Sequence, residues 1–407
     1  MSEPSATAVS PRRIAWAVAP GVLLAGVAGG IAFPILPIVG ERAGLPLWYI
    51  GVILAANRAV RVLLNPFVGR LADRIGSRRT LLGGLIIQIA VMGLYLLGVV
   101  IGHPGVFFML GRLLHGVGSS AVFVSGQALA LRGAGSGHGR AAGTVRAALV
   151  IGIPAGLTLG GLMAEAWSDA AAFEAAIGAM AAAALVAAWL VPDLRVESRA
   201  PAKLAESLRA LANRRLAAVG TLNFVASFGA NGLVLTTLAL LVHERGLALF
   251  SMGEQGTSGA LMGLMTVASA LAMPWMGHLG DRKRMHAAVG GFGVLITIPA
   301  LLAMGLASSV PPLAVGLVVL GLGDAALGPS LLALVGAWVA PGQRGQAVGL
   351  LQLCGDLGGA LGPVVGSALL ATSTRTPYLV SAALITCALP VAVALVRAER
   401  ADAGRIA

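Results

Sequence analysis

The sequence predicts an all-α membrane protein of twelve transmembrane helices in two pseudo-symmetric six-helix bundles, and three observations predict it. The chain of 407 residues is 57% hydrophobic and 11% charged, with a mean hydropathy of +0.90, whereas roughly a quarter of a soluble domain is charged. Twelve apolar runs follow one another, each near the about 20 residues that cross a bilayer. The charged stretch "GRLADRIGSRRTLL" at 69–82 also has a partial second copy: Pro66, Gly69, Leu71, Asp73 and Arg74 recur as Pro274, Gly277, Leu279, Asp281 and Arg282, all displaced by one interval.

The first run, 14–38, follows the polar "MSEPSATAVSPRR" and is too long for a signal-peptide core, so it reads as a retained helix. Runs at 48–70, 80–101, 105–130, 141–164 and 170–191 complete the first bundle, residues 1–191. The longest polar interruption, 192–215, reads as a cytoplasmic linker; Leu204, Leu208 and Leu211 share one helical face there, as in a helix resting on the membrane surface or a solvated, partly helical connection. Runs at 216–242, 253–276, 286–307, 311–338, 345–370 and 377–396 form the second bundle, residues 216–407.

Charge placement sets the expected orientation. Basic residues crowd the polar breaks on one side, including Arg70, Arg74, Arg78, Arg79, Arg282, Lys283, Arg397 and Arg400, while the other side holds only Arg42, Arg245 and Arg375. That positive-inside bias puts both termini in the cytoplasm and accounts for the net charge of +12 without a nucleic-acid partner. Cys354 and Cys387 fall inside apolar runs as small core residues, and no metal-ligand spacing, phosphate-cradling loop or nucleophile motif appears. An enzyme, a metal site and a cofactor are not expected.

A second repeat supports the first. Gly143, Gly152, Gly156, Gly160 and Gly161 in the fifth run match the spacing of Gly349, Gly358, Gly362 and Gly366 in the eleventh, where Pro363 follows Gly362. Small residues at about one helical turn let backbones approach closely.

Together these residues resemble the major facilitator superfamily of secondary transporters over essentially the whole chain. "GRLADRIGSRRTLL" is similar to the family's loop between helices 2 and 3, "LGRLLHGVGSS" at 110–120 to its fourth-helix motif, and "FPILP" at 33–37 to the first-helix P-x-x-P of its drug/proton antiporters. The fifth-run ladder resembles the antiporter motif, with Leu157 where the family has a proline. The resemblance implies that the hairpins, through Gly69, Asp73, Arg74, Gly76, Arg78, Gly277, Asp281 and Arg282, latch one conformation. It implies too that helices 5 and 11 pack across the interface between bundles.

Charge inside the membrane is costly unless it faces a cavity or a partner. Arg58, Arg61, His115, Asp324 and Asp356 fall near mid-depth and Arg112 somewhat outward of it. Arg58 and Arg61 share a helix face and either bind an anionic group of the substrate or are neutralised by Asp324 and Asp356. The two aspartates and His115 are the titratable candidates for proton coupling. The expected activity is export of a small organic molecule by proton antiport, in a monomer whose other partners are protons and the lipid bilayer. The alternatives are an uptake symporter for an anionic solute and a non-transporting membrane sensor of the same fold.

Overall fold

In the computed structural model each predicted run is a helix, and the structure describes residues 10–130, 138–193, 213–283, 285–339 and 344–406. The helices are α1 Pro11–Arg42, α2 Leu47–Ile75, α3 Ser77–Ile101, α4 Pro104–Ala130, α5 His138–Ala166, α6 Asp169–Leu190, α7 Arg214–Glu244, α8 Glu254–Lys283, α9 His286–Leu306, α10 Val310–Trp338, α11 Arg344–Leu370 and α12 Thr376–Ile406. All twelve contain a stretch long and apolar enough to span a bilayer. Both ends of the described chain lie on one face, called here the terminal face; the α1–α2 turn lies on the other, the far face.

Several helices outrun their apolar cores. α12 continues past 396 to Ile406, α2 runs through Arg70 and Arg74 to Ile75, and α7 starts at Arg214, inside the expected linker. Hydropathy measures lipid thickness, whereas backbone hydrogen bonding carries a helix on into water. The remaining linker, 194–212, with its leucine face, lies outside the described residues. The α2–α3 hairpin is tighter than the sequence suggests: Gly69 is inside α2, and Gly76 alone breaks the helix, at φ +94°, a backbone conformation that disfavours any side chain.

Each bundle has its own core. In the first, Tyr95, Phe108 and Phe173 from α3, α4 and α6 meet with ring centroids 5.7 to 6.3 Å apart, in arrangements that favour edge contacts between aromatics. In the second, buried leucines of α7, α9 and α10 predominate, joined by Ile38 and Leu157 of the first bundle. α7 is the most central helix, with 82% of its apolar window buried against 33% for α6 and α12.

The glycine ladders bring helices into backbone contact within each bundle. Side chains at Gly152, Gly156 and Gly160 would overlap the carbonyl oxygens of Leu23, Val27 and Ile31 on α1; side chains at Gly358 and Gly362 would overlap those of Phe224 and Phe228 on α7. Helices 5 and 11 do pack across the interface as expected, α5 on α8 and α11 on α2; among the described ladder glycines, however, Gly161 alone faces the other bundle, against Gln255 and Gly259 of α8. Gly143 and Gly349 lie outside the described side chains. The bundles also meet where α2 crosses α11, a methyl at Gly51 falling 2.5 Å from the Pro363 carbonyl oxygen.

Part of α7 is not α-helical. Ser227–Val234 winds as a π-helix directly opposite Gly358 and Gly362, and such wide turns are frequent at functional sites.

Candidate functional site: a charged cavity at the bundle interface

A cavity of about 200 Å³ opens among α1 to α5, from mid-depth towards the terminal face. Arg58, Arg61, Gln88 and His115 supply its polar wall, and Phe33 and Phe123 are among its apolar residues. All of its described lining belongs to the first bundle, and none of it is acidic.

The nearest counter-charge comes from the second bundle. Asp356 of α11, 5% exposed, lies with Oδ2 3.6 Å from Arg61 Nη2, and Gln352 donates to its Oδ1 at 3.4 Å. Arg58 lies against the backbone of α11 at Gly359. Its charged neighbours are Arg61 and Arg112, which repel it, and Asp356, which attracts it. Asp356 thus stands against both arginines, as an ion pair with Arg61 and as an attracting charge on Arg58. Asp324 accepts from Ser269 at 3.0 Å within the second bundle and lines a separate small cavity there.

Arg112 stands behind the cavity wall, not on it. It is 2% exposed and donates to the α2 carbonyls of Ile53 at 3.4 Å and Leu54 at 2.6 Å and to Asn57 Oδ1 at 2.8 Å, with its guanidinium 5.5 Å from the Phe33 ring centre. It therefore fixes the segment of α2 that carries Arg58 and Arg61. Arg61 in turn sits 5.6 Å from the Phe123 ring centre, within range of cation–π attraction. His115 and Gln88 face the cavity with Nδ1 and Oε1 buried and without hydrogen-bond partners.

The hairpin residues behave differently. Arg78 donates to the Ala188 carbonyl at 2.5 Å, tying α3 to the end of α6 inside the first bundle. Arg74 and Arg282 are exposed, a side chain at Gly277 would approach only Pro329, and Asp281 is largely exposed with His286 Nε2 at 3.4 Å. The side chain of Asp73 and the surroundings of Gly69 lie outside the described residues. Nearby, Glu399 of α12 accepts from the backbone N–H groups of His286 and Ala287, both at 2.9 Å, capping the otherwise unsatisfied start of α9.

Sequence reasoning missed a second charged cluster, on the far face. Glu254 of α8 binds Arg42 of α1 and His243 of α7. His243 Nε2 lies 3.8 Å from Glu41, and Gln255 donates to Asp169 of α6 at 2.5 Å. As charges at helix ends they read from sequence as topology markers, and only folding shows that they join the two bundles. The described side-chain contacts between bundles thus run from Arg61–Asp356 at mid-depth to this network, closing the far face. Exposed ion pairs contribute about 0.2–1 kcal/mol each. Glu254→Gln, which weakens two of them, is expected to raise the far-face-open population about fivefold, corresponding to about 1 kcal/mol. Spin labels at Ala43 and Ser251 would report it as a longer-distance component, and an unchanged distance distribution would show that the network does not hold the face closed.

The Major Facilitator Superfamily model matches residues 18–290 and 252–407, which together take in both bundles. The "Multidrug resistance protein MdtG" of Dickeya zeae (strain Ech586) is 28% identical over 388 residues, 91% of each chain. The "Multi-drug resistance efflux pump PmrA homolog" of Lactococcus lactis subsp. lactis (strain IL1403) is 26% identical over 370 residues, 86% of each chain. In fold, the chain resembles a point mutant of the nucleoside transporter NupG with a TM-score of 0.75 at 15% identity, covering 95% of this chain and 99% of that one. The human organic anion transporter MFSD10 (TETRAN) superposes with a TM-score of 0.68 at 22% identity, covering 94% and 99%. With both bundles matched by one family model and transporters aligned along nearly all its length, this chain belongs to the Major Facilitator Superfamily of membrane transporters.

Proposed function

We propose that the protein is a proton-coupled exporter of a small organic molecule, working by alternating access with Asp356 as its proton site. The observation that carries this reading is the Arg61–Asp356 pair, which joins the two bundles at mid-depth beside the cavity. Separating a buried carboxylate from its cation favours the neutral acid, and restoring the cation favours the ion. Protonation of Asp356 is thereby tied to the relative position of the bundles. Export rests on the names of the efflux relatives. The basic bias of the sequence supports a cytoplasmic terminal face, so the closed far face makes this an inward-facing form in the cell membrane. Residues 1–191 and 216–407 would rock about the midplane site, and a complete cavity in each chain supports action as a monomer.

A second reading, uptake of an anionic solute in symport, is favoured by the cationic cavity wall. An anion that takes Arg61 from Asp356 leaves the carboxylate without its cation, so that anion and proton bind together, as symport requires.

The sign of proton movement separates the two. In inside-out vesicles carrying a pH-sensitive dye and an acid interior, a panel of lipophilic drugs and organic acids is added outside. Alkalinisation of the lumen that is absent from vesicles carrying Asp356→Asn or no protein supports antiport, and acidification absent from the same controls supports symport. A compound that the protein carries without moving lumenal pH would refute proton coupling in both forms.

A further inference from the structure

We infer that the ligand of the first-bundle cavity is an amphipathic organic monoanion, held by its anionic head at Arg58 and Arg61 and by its apolar body against Phe33 and Phe123. This rests on reading the cavity as the transport site, and it holds whichever way the substrate travels.

The first support is the charge balance. Arg58, Arg61 and Arg112 lie close enough to act on one another, and Asp356 is the carboxylate among the charged groups that face Arg58. Three guanidiniums against one carboxylate leave a positive potential in a site where water screens poorly. Arg112 is engaged with carbonyls of α2 and turned away from the lining, so the excess is presented to the cavity by Arg58 and Arg61, a helical turn apart. Two guanidiniums so placed suit the two oxygens of a carboxylate, sulfonate or phosphonate.

The second support is independent of charge. Gln88, 5% exposed, and His115, 9% exposed, both line the cavity, and Gln88 Oε1 and His115 Nδ1 have no hydrogen-bond partner. Buried polar atoms are normally satisfied, and an exception asks for an explanation. A ligand with a hydroxyl or N–H near its anionic head would supply the donor that Gln88 Oε1, closed to solvent here, lacks once that side chain turns into the cavity.

The rest of the described wall is mostly apolar, with Asn57 and Ser119 as its other polar residues. Val22, Val122, Leu149 and Ile153 join the two phenylalanines, a surface that favours a hydrocarbon or aryl body over a sugar-like one. A cationic drug has no described carboxylate on the lining to meet and would be repelled by the arginine pair.

The test is calorimetric titration of the full-length protein in nanodiscs with matched probes of one skeleton: phenylbutyrate, phenylbutanol and phenylbutylamine, then naphthylacetate with its alcohol and amine. The carboxylates are expected to bind at least about tenfold more tightly than the alcohols, as expected for a charge-assisted contact, and the amines not to bind. Arg58→Gln and Arg61→Gln should each erase the preference. Because such variants can lose it by misfolding, Asp356→Asn supplies the opposite sign. With the competing carboxylate removed, carboxylate binding should tighten roughly tenfold, which damage to the fold would not produce.

Alcohols or amines binding as well as carboxylates, no carboxylate binding at all, or no gain in Asp356→Asn would each overturn the inference. Binding is measured without transport, so its failure alongside intact proton-linked flux removes the anion and leaves the transport reading standing.

Discussion

Asp356→Asn is expected to bring pH-gradient-driven substrate accumulation to background, a loss of at least about tenfold, while substrate exchange without a gradient persists. The carboxylate is almost fully buried and its cation belongs to the opposite bundle. Asparagine fills nearly the same volume but neither binds nor releases a proton, so conformational change continues without a protonation step to drive it. The substitution also leaves Arg61 without its ion-pair partner, and stranding one member of a buried pair costs about 3–5 kcal/mol when no water or ligand compensates. Retained exchange would distinguish uncoupling from collapse of the fold, whereas accumulation at the wild-type level would remove Asp356 as the coupling site. Asp324→Asn is expected to lose less, because Asp324 lies at a separate cavity within the second bundle.

The second large effect is structural. Gly156→Val drives a branched side chain into the carbonyl of Val27 and the Cα of Gly30, where even a methyl has no room. Neither neighbour is the flexible end of a side chain, so α1 and α5 must move apart along their whole crossing. A loss of about 3 kcal/mol or more is expected, seen as lost folded protein in fluorescence-detected gel filtration and a lower melting temperature. Gly178→Ala is the control: a side chain there meets nothing within 4 Å, and alanine is the better helix former by about 1 kcal/mol. Equal damage from both would mean that the ladder is not a close-packed crossing.

What the sequence made legible follows from what each signal measures. Hydropathy registers lipid contact, so all twelve helices were readable while their aqueous extensions at Ile75 and Ile406 were not. Charge at depth registers a need for a cavity or a partner; the structure brings Arg58, Arg61, His115 and Asp356 to one cavity or its edge and leaves Asp324 at another. Charge alone failed to separate Arg112 from them, because an arginine that bonds backbone carbonyls of a neighbouring helix and one that lines a cavity look alike in one dimension. Glycine spacing announced close helix approach but not the partner, since α5 has tight neighbours in α1 and in α8. The network of Glu41, Arg42, His243 and Glu254 was illegible for another reason: its two parts, Glu41 with Arg42 and His243 with Glu254, lie in opposite halves of the chain and share no motif. The π-helical turn at Ser227–Val234, which packs against α11 at Gly358 and Gly362, was not read from the sequence.

On the function proposed above, a cavity built from one bundle, beside a carboxylate supplied by the other, would divide recognition from energisation along the gene itself. Changes in the first half of the reading frame would alter which cargo is accepted, and changes in the second half would alter whether its passage is powered. A lineage could then acquire new cargo without surrendering its drive, each half drifting under a separate selective pressure.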